Sequence, residues 1–124
     1  MSGRLTTQVI DAVRGVPAGG LLIDLFEWPP GGAERRHVKT VETNEEGGTD
    51  AALVAGDGMH PATFELLFHI GRYFKSRGLA PAGGLDLEVV PVRFAITDAN
   101  AAYCISFVAG QRFFAVYSAE VPGA

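Results

Sequence analysis

Apolar and polar positions alternate with a period of two along most of this chain, and the pattern is cleanest near its end. Over residues 102–107, Tyr103, Ile105 and Phe107 fall on one side while Ala102, Cys104 and Ser106 fall on the other. That alternation predicts a half-buried strand. Its second face is unusual, because it carries small groups and a thiol where a solvent-facing strand carries Lys, Glu or Thr. A further run over residues 113–118 follows a turn at Ala109-Gly110-Gln111 and predicts the hairpin partner. Upstream, residues 6–11 set Thr6, Gln8 and Ile10 against Thr7, Val9 and Asp11. Residues 21–27 are nearly all apolar and predict a buried strand, and residues 35–41 are polar enough for an edge strand. Residues 63–70 place Phe64, Leu66, Phe68 and Ile70 inward, and residues 87–96 do the same with Val90, Val92, Phe94 and Ile96. A weaker short strand falls over residues 51–54.

Turn chemistry separates these runs. Residues 14–20, Trp28-Pro29-Pro30-Gly31-Gly32 and Thr43-Asn44-Glu45-Glu46-Gly47-Gly48 combine the glycine, proline and asparagine that tight turns need. Residues 71–77 offer one or two helical turns with Gly78 as a stop, followed by a Pro/Gly linker over residues 79–84. Pro91 predicts an edge strand or a bulge, because it cannot donate to a ladder. Seven or eight short strands and one short helix make the fold class all-β, a sandwich.

Composition narrows the functions. At 124 residues the chain reads as one domain, residues 1–124, and 48 % apolar residues with eight Phe are ample for a packed core. A net charge of −4 without a basic stripe argues against nucleic acid. No apolar run is long enough to span a bilayer, and no signal-peptide core precedes the first strand, so a cytoplasmic location is expected. One cysteine excludes an internal disulfide and a multi-cysteine metal site. His37, His60 and His69 show no metal-ligand spacing and read as surface histidines. No metal and no cofactor is expected. The glycine pairs at 19–20 and 31–32 lack the lysine and the strand–loop–helix context of a phosphate loop.

The stretch Leu-Thr-Thr-Gln-Val-Ile-Asp at residues 5–11, with Gly15-Val16-Pro17-Ala18, resembles the opening strand and turn of the transthyretin and 5-hydroxyisourate hydrolase family. The turn Thr43-Asn44-Glu45-Glu46-Gly47, the pair Tyr73-Phe74 and the final strands are similar to that family too. The resemblance implies a transthyretin-like sandwich of seven to eight strands, assembled as a homotetramer or at least a dimer. It also implies that the first and last strands face a channel between subunits. In the hydrolase branch that channel opens a purine-derived ring with water, and in the transthyretin branch it binds a small aromatic ligand. The hydrolase branch uses a histidine in the first strand, an arginine after the Asn-turn glycine, a histidine in the penultimate strand and a closing Tyr-Arg-Gly-Ser. Against that pattern this chain has Gln8, Gly48, Cys104 and Tyr117-Ser118-Ala119-Glu120.

Hydrolysis needs a base to activate water and donors to hold developing negative charge. Gln8 can orient a ligand but cannot take a proton, and Gly48 brings no charge. The candidate catalytic residues are therefore Cys104, as a nucleophile or else a small core filler, Glu120, as a base or else a solvated carboxylate, and Tyr117 as a donor. Gln8, Ser106, Ser118 and Gly48 are the candidate ligand contacts. The expected partner is a small-molecule substrate or ligand, with neither nucleic acid nor membrane. Two classes of function follow. One is altered ring chemistry, such as cyclisation or rearrangement in a biosynthetic pathway; the other is non-catalytic binding of a small molecule. Conventional 5-hydroxyisourate hydrolysis is the third.

Overall fold

A computed structural model describes residues 3–79 and 85–123 of the chain. Most of the predicted linker, residues 80–84, lies outside the described residues. In chain order the elements are β1 (Arg4–Asp11), β2 (Val16–Pro17), β3 (Leu22–Trp28), β4 (Arg36–Glu42), β5 (Val54–Ala55), β6 (Ala62–Phe68), α1 (Ile70–Ser76), β7 (Val90–Ile96), β8 (Ala102–Ala109) and β9 (Phe114–Val121). One sheet runs β2-β1-β8-β9 with β5 also against β1, and the other runs β4-β3-β6-β7. The fold is an all-β sandwich with one short helix.

Seven strands of seven or eight residues carry the sandwich, and β2 and β5 are two-residue additions to the free edge of β1. β2 lies inside the segment expected to be only a turn. The short strand expected over residues 51–54 is displaced to Val54–Ala55. Two expected strands are shorter than the apolar pattern suggested. Ile70 starts the helix instead of ending β6, because the chain turns at His69, yet it stays fully buried. β7 begins at Val90, since the segment before it spends its backbone groups elsewhere: the Gly71 N–H donates to Glu88 O and the Leu87 N–H to Gln111 O. Pro91 sits in β7, the edge of its sheet, where a missing donor costs no ladder bond.

The core lies between the sheets. Leu5 and Val9 from β1, Ile105 and Phe107 from β8, and Phe64, Leu66 and Phe68 from β6 are buried there. The Phe68 and Phe107 rings stack across the two sheets at 4.1 Å between centroids. Burial of each such ring contributes on the order of 2–3 kcal/mol. At the end of β1 the fully buried Asp11 accepts the Tyr73 hydroxyl at 2.8 Å and the Val13 and Arg14 N–H groups at 2.9 and 3.1 Å. These bonds tie α1 to the first strand. Burial, followed by the Asp11 hydrogen bond, pushes the Tyr73 phenol up from its ordinary value.

At the start of β6 an exposed histidine bridges to the end of β3. His60 Nε2 donates to Glu27 at 2.8 Å and Nδ1 to Gly58 O at 2.9 Å, an arrangement that needs both ring N–H groups and so favours the imidazolium. Arg36 shares the same carboxylate at 2.6 Å. The Glu27 hydrogen bond raises the His60 value above its ordinary 6.5, and the same bond lowers Glu27 below 4.5. A raised histidine stabilises below its unfolded value and loses that contribution as pH rises through the folded one. A lowered carboxylate stabilises above its unfolded value and loses that contribution as pH falls. The pair therefore contributes fully between those two ordinary values and fades on the alkaline side. His60→Gln is expected to cost at most about 1 kcal/mol near pH 5.5 and less near pH 9. Urea unfolding at both pH values checks this, and an equal loss at both would contradict it.

Candidate functional site

The site is built on the outward face of the β1, β8 and β9 strands. β1 and β8 run parallel with Thr6 opposite Cys104 and Gln8 opposite Ser106. β8 and β9 run antiparallel with Ser106 opposite Tyr117 and Cys104 opposite Ala119. Because neighbouring residues on a strand point to opposite faces, two rows cross the outer face: Gln8, Ser106, Tyr117 and Thr6, Cys104, Ala119. With strands about 4.8 Å apart and same-face residues about 6.6 Å apart along a strand, the patch matches the footprint of a small bicyclic ring. Cys104 is half-buried, with its Sγ 4.0 Å from Ser106 Oγ. The Tyr117 ring is largely exposed.

The same register corrects two expectations. Ser118 pairs with Ile105 and Glu120 with Tyr103, so both lie on the face that carries the core. They stay exposed because β9 is the edge strand. Four consecutive residues of a strand cannot all look the same way, so Tyr117 reaches the outer face while Ser118 and Glu120 do not. The structure thus brings together Gln8, Cys104, Ser106 and Tyr117 and separates Ser118 and Glu120 from them. It also adds Thr6 and Arg4, which share the outer face of β1. The alternation Arg4, Thr6, Gln8 carried that signal in the sequence. Arg4 brings a guanidinium to one end of the patch.

Gly48 joins the site through a turn. Asn44 Oδ1 accepts the N–H groups of Glu46 and Gly48 at 2.9 and 3.3 Å, and the Val9 N–H donates to Gly47 O at 2.9 Å. Behind it, the buried Thr43 hydroxyl donates to Ala18 O and accepts the Leu21 N–H, which fixes where the turn starts. The turn therefore lies along the free edge of β1. Gln8 Nε2 donates to Glu46 O, which leaves Gln8 Oε1 presented beside Gly48. A Cβ at position 48 would lie 3.6 Å from that oxygen and 3.5 Å from Thr7 O.

Elsewhere, a hollow of about 350 Å³ lies against α1, walled by His69, Arg72, Phe74, Lys75, Leu87 and Glu88. None of the outer-face residues reaches it. His69 there holds Asp24 at 2.8 Å. Among the described residues, no three His, Cys, Asp or Glu side chains gather as a metal site.

The HIUase/Transthyretin family profile matches residues 5–118. The chain belongs to that family. It is 41% identical over 116 residues to "5-hydroxyisourate hydrolase 2" of Rhizobium meliloti (strain 1021), covering 94% of this chain and 95% of that protein. Among solved structures, (S)-allantoin synthase superposes with a TM-score of 0.87 at 27% identity, covering 95% of this chain and 44% of that one. Transthyretin from Sparus aurata superposes with a TM-score of 0.83 at 18% identity, covering 95% and 97% of the two chains, and shares the fold. The family match runs from β1 through Ser118 of β9, so it includes every strand of the outer-face patch.

The two glycines of the turn differ physically. Gly47 has φ +82°, and a Cβ there would lie 2.4 Å from Val9 O. Position 48 would accept a Cβ at ordinary contact distance. Gly47→Ala should therefore cost at least about 1–2 kcal/mol, whereas Gly48→Ala should change stability by less than about 0.5 kcal/mol. Thermal or urea unfolding of the two variants checks the contrast.

Proposed function

We propose that this chain handles a small, carbonyl-rich nitrogen heterocycle of the hydroxyisourate kind on the outer face of β1, β8 and β9, by chemistry altered from histidine-assisted hydrolysis. The observation that carries the reading is the row Gln8, Ser106, Tyr117 beside Thr6 and Cys104, a compact set of neutral hydrogen-bonding groups within a family whose named relatives are hydroxyisourate hydrolases. Gln8 orients the ring through Oε1, and Arg4 supplies positive charge at one end. Cys104 and Tyr117 are the ionisable groups left on that face to move a proton or attack a carbonyl carbon. Ring rearrangement or cyclisation, which needs a proton relocated within the substrate, asks less of this set than water activation does. A role in biosynthesis belongs to this reading, as does a cytoplasmic location, supported by the lone thiol.

A second reading, a non-catalytic small-molecule binder, is favoured by one observation: Glu120, the carboxylate expected to serve as base, faces away from the patch.

Assembly completes the proposal. β9 is an edge strand of eight residues with Glu120 as its one charged side chain, and Tyr117 and Val121 are exposed on the outer face at 63% and 66%. An edge of that length and composition is a template for a second strand. We assign that strand to a second copy of the chain, in an edge-paired homodimer, two of which would face each other across the patch in a homotetramer. Sedimentation should give a mass of at least twice 13.1 kDa, and a monomer at working concentration would exclude the assembly.

Freshly generated hydroxyisourate, followed by its ultraviolet absorbance with and without the protein, tests the chemistry. Altered chemistry predicts a rate within about twofold of buffer on hydroxyisourate itself, and turnover of a related ring that drops about 100-fold or more in Cys104→Ala. Rapid hydroxyisourate decay that survives Cys104→Ala would return the chain to ordinary hydrolysis. Saturable binding without product from any ring compound would support the binder.

A further inference from the structure

The turn between β1 and β2, the Asn44 turn and the end of α1 border a hollow of about 530 Å³ that the candidate site does not use. Two guanidinium groups line it, Arg14 from the turn after β1 and Arg77 from the end of α1. Arg77 is held in place: it donates to Gly19 O, and its Cζ lies 5.0 Å from the centre of the Tyr73 ring. A guanidinium carries five N–H donors, so these contacts leave some of them over. Arg14 is exposed, and its side chain has no partner among the described residues. Glu45 lines the same hollow and pairs with neither arginine. Behind Tyr73, the buried Asp11 is taken up by the Tyr73 hydroxyl and by the Val13 and Arg14 N–H groups. Beyond Arg77, Glu42 lies in an adjoining recess that Arg72 also lines. The hollow thus sets two cations against one carboxylate, in a chain whose net charge is −4. Val16 and Pro17 add an apolar wall.

We propose that this hollow binds a small organic monocarboxylate, its carboxylate held by Arg14 and Arg77 and its apolar body against Val16 and Pro17. A planar carboxylate accepts paired N–H bonds from a guanidinium fork, and this is the geometry arginine recognises best. A surplus of one positive charge suits a ligand with one negative charge, and Glu45 repels a second. The volume falls within the usual range for small-molecule sites. The proposal goes beyond the ring-binding reading, because none of Thr6, Gln8, Cys104, Ser106 and Tyr117 lines the hollow.

The test titrates the full chain in its native assembly, at neutral pH and fixed ionic strength. Benzoate is the probe, benzamide its uncharged counterpart and inorganic phosphate a rival anion. Proton–nitrogen NMR should show saturable benzoate binding with a Kd below about 5 mM, shifting the amides of residues 14–20 and 44–45. Benzamide should bind about fivefold or more weakly. Arg14→Gln and Arg77→Gln should each weaken benzoate by a similar factor. Glu45→Gln should tighten it about twofold, a gain that a damaged fold cannot imitate. Benzoate that fails to saturate, or that binds Arg14→Gln as well as the parent, overturns the proposal. Phosphate binding as tight as benzoate overturns it too, since the hollow would then take inorganic anions. Benzoate binding lost in Gln8→Ala but kept in Arg14→Gln assigns the carboxylate to the outer face, and the proposal falls while the ring-binding reading stands.

Discussion

The structure depends on the parallel pairing of β1 with β8. Eight consecutive residues of the first strand lie in register with eight of the penultimate one, which sets Leu5 and Val9 beside Tyr103 and Phe107 on one face. On the other face the same register sets Gln8 beside Ser106 and Thr6 beside Cys104. A slip of one residue would send the apolar set outward and the polar set into the core. Core and candidate site are therefore two sides of one constraint. The burial of Phe107 against Phe68 holds the register on which the polar patch depends.

Around that pairing, the remaining elements act as positioning devices. Asp11 fastens α1 to the end of β1, and the Asn44 turn lays Gly47 and Gly48 along its free edge. The Glu46 carbonyl then fixes which end of the Gln8 amide faces the open side. No single one of these contacts is chemical machinery. Together they hold one acceptor oxygen, one thiol and one phenol on the outer face of one twisted sheet.

Much of this was legible in the sequence because the strands alternate strongly. The seven long strands, the helix after β6 and the inward sets of β6, β7 and β8 all follow from a period of two and from turn chemistry. What the sequence obscured has specific causes. Ile70 continued the apolar alternation of β6 and is buried, but it is buried as the first residue of a helix. Leu87 lies in a segment that continues the apolar pattern of β7, yet its N–H bonds to Gln111 and holds it outside the ladder. At the site, Gln8, Cys104, Ser106 and Tyr117 converge as a face-by-face reading predicts. Ser118 and Glu120 were grouped with Tyr117 through a contiguous motif, and contiguity is the wrong geometry for a strand. Arg4 and Thr6 needed only the alternation already visible in β1.

The pairing of the first strand with the penultimate one also orders events during synthesis. Partners in β1 and β8 stand 98 positions apart, from Arg4 opposite Ala102 to Asp11 opposite Ala109. At translation rates of roughly 5–20 residues per second, β1 waits about 5–20 s with Leu5 and Val9 uncovered before its neighbour exists. Over the same interval β3, β4, β6 and β7 become available in turn, and they can pair antiparallel with one another without it. The sheet that carries no candidate site can therefore be complete first, as the surface on which the nascent first strand shelters. The candidate patch comes into being only when nearly the whole chain has been made.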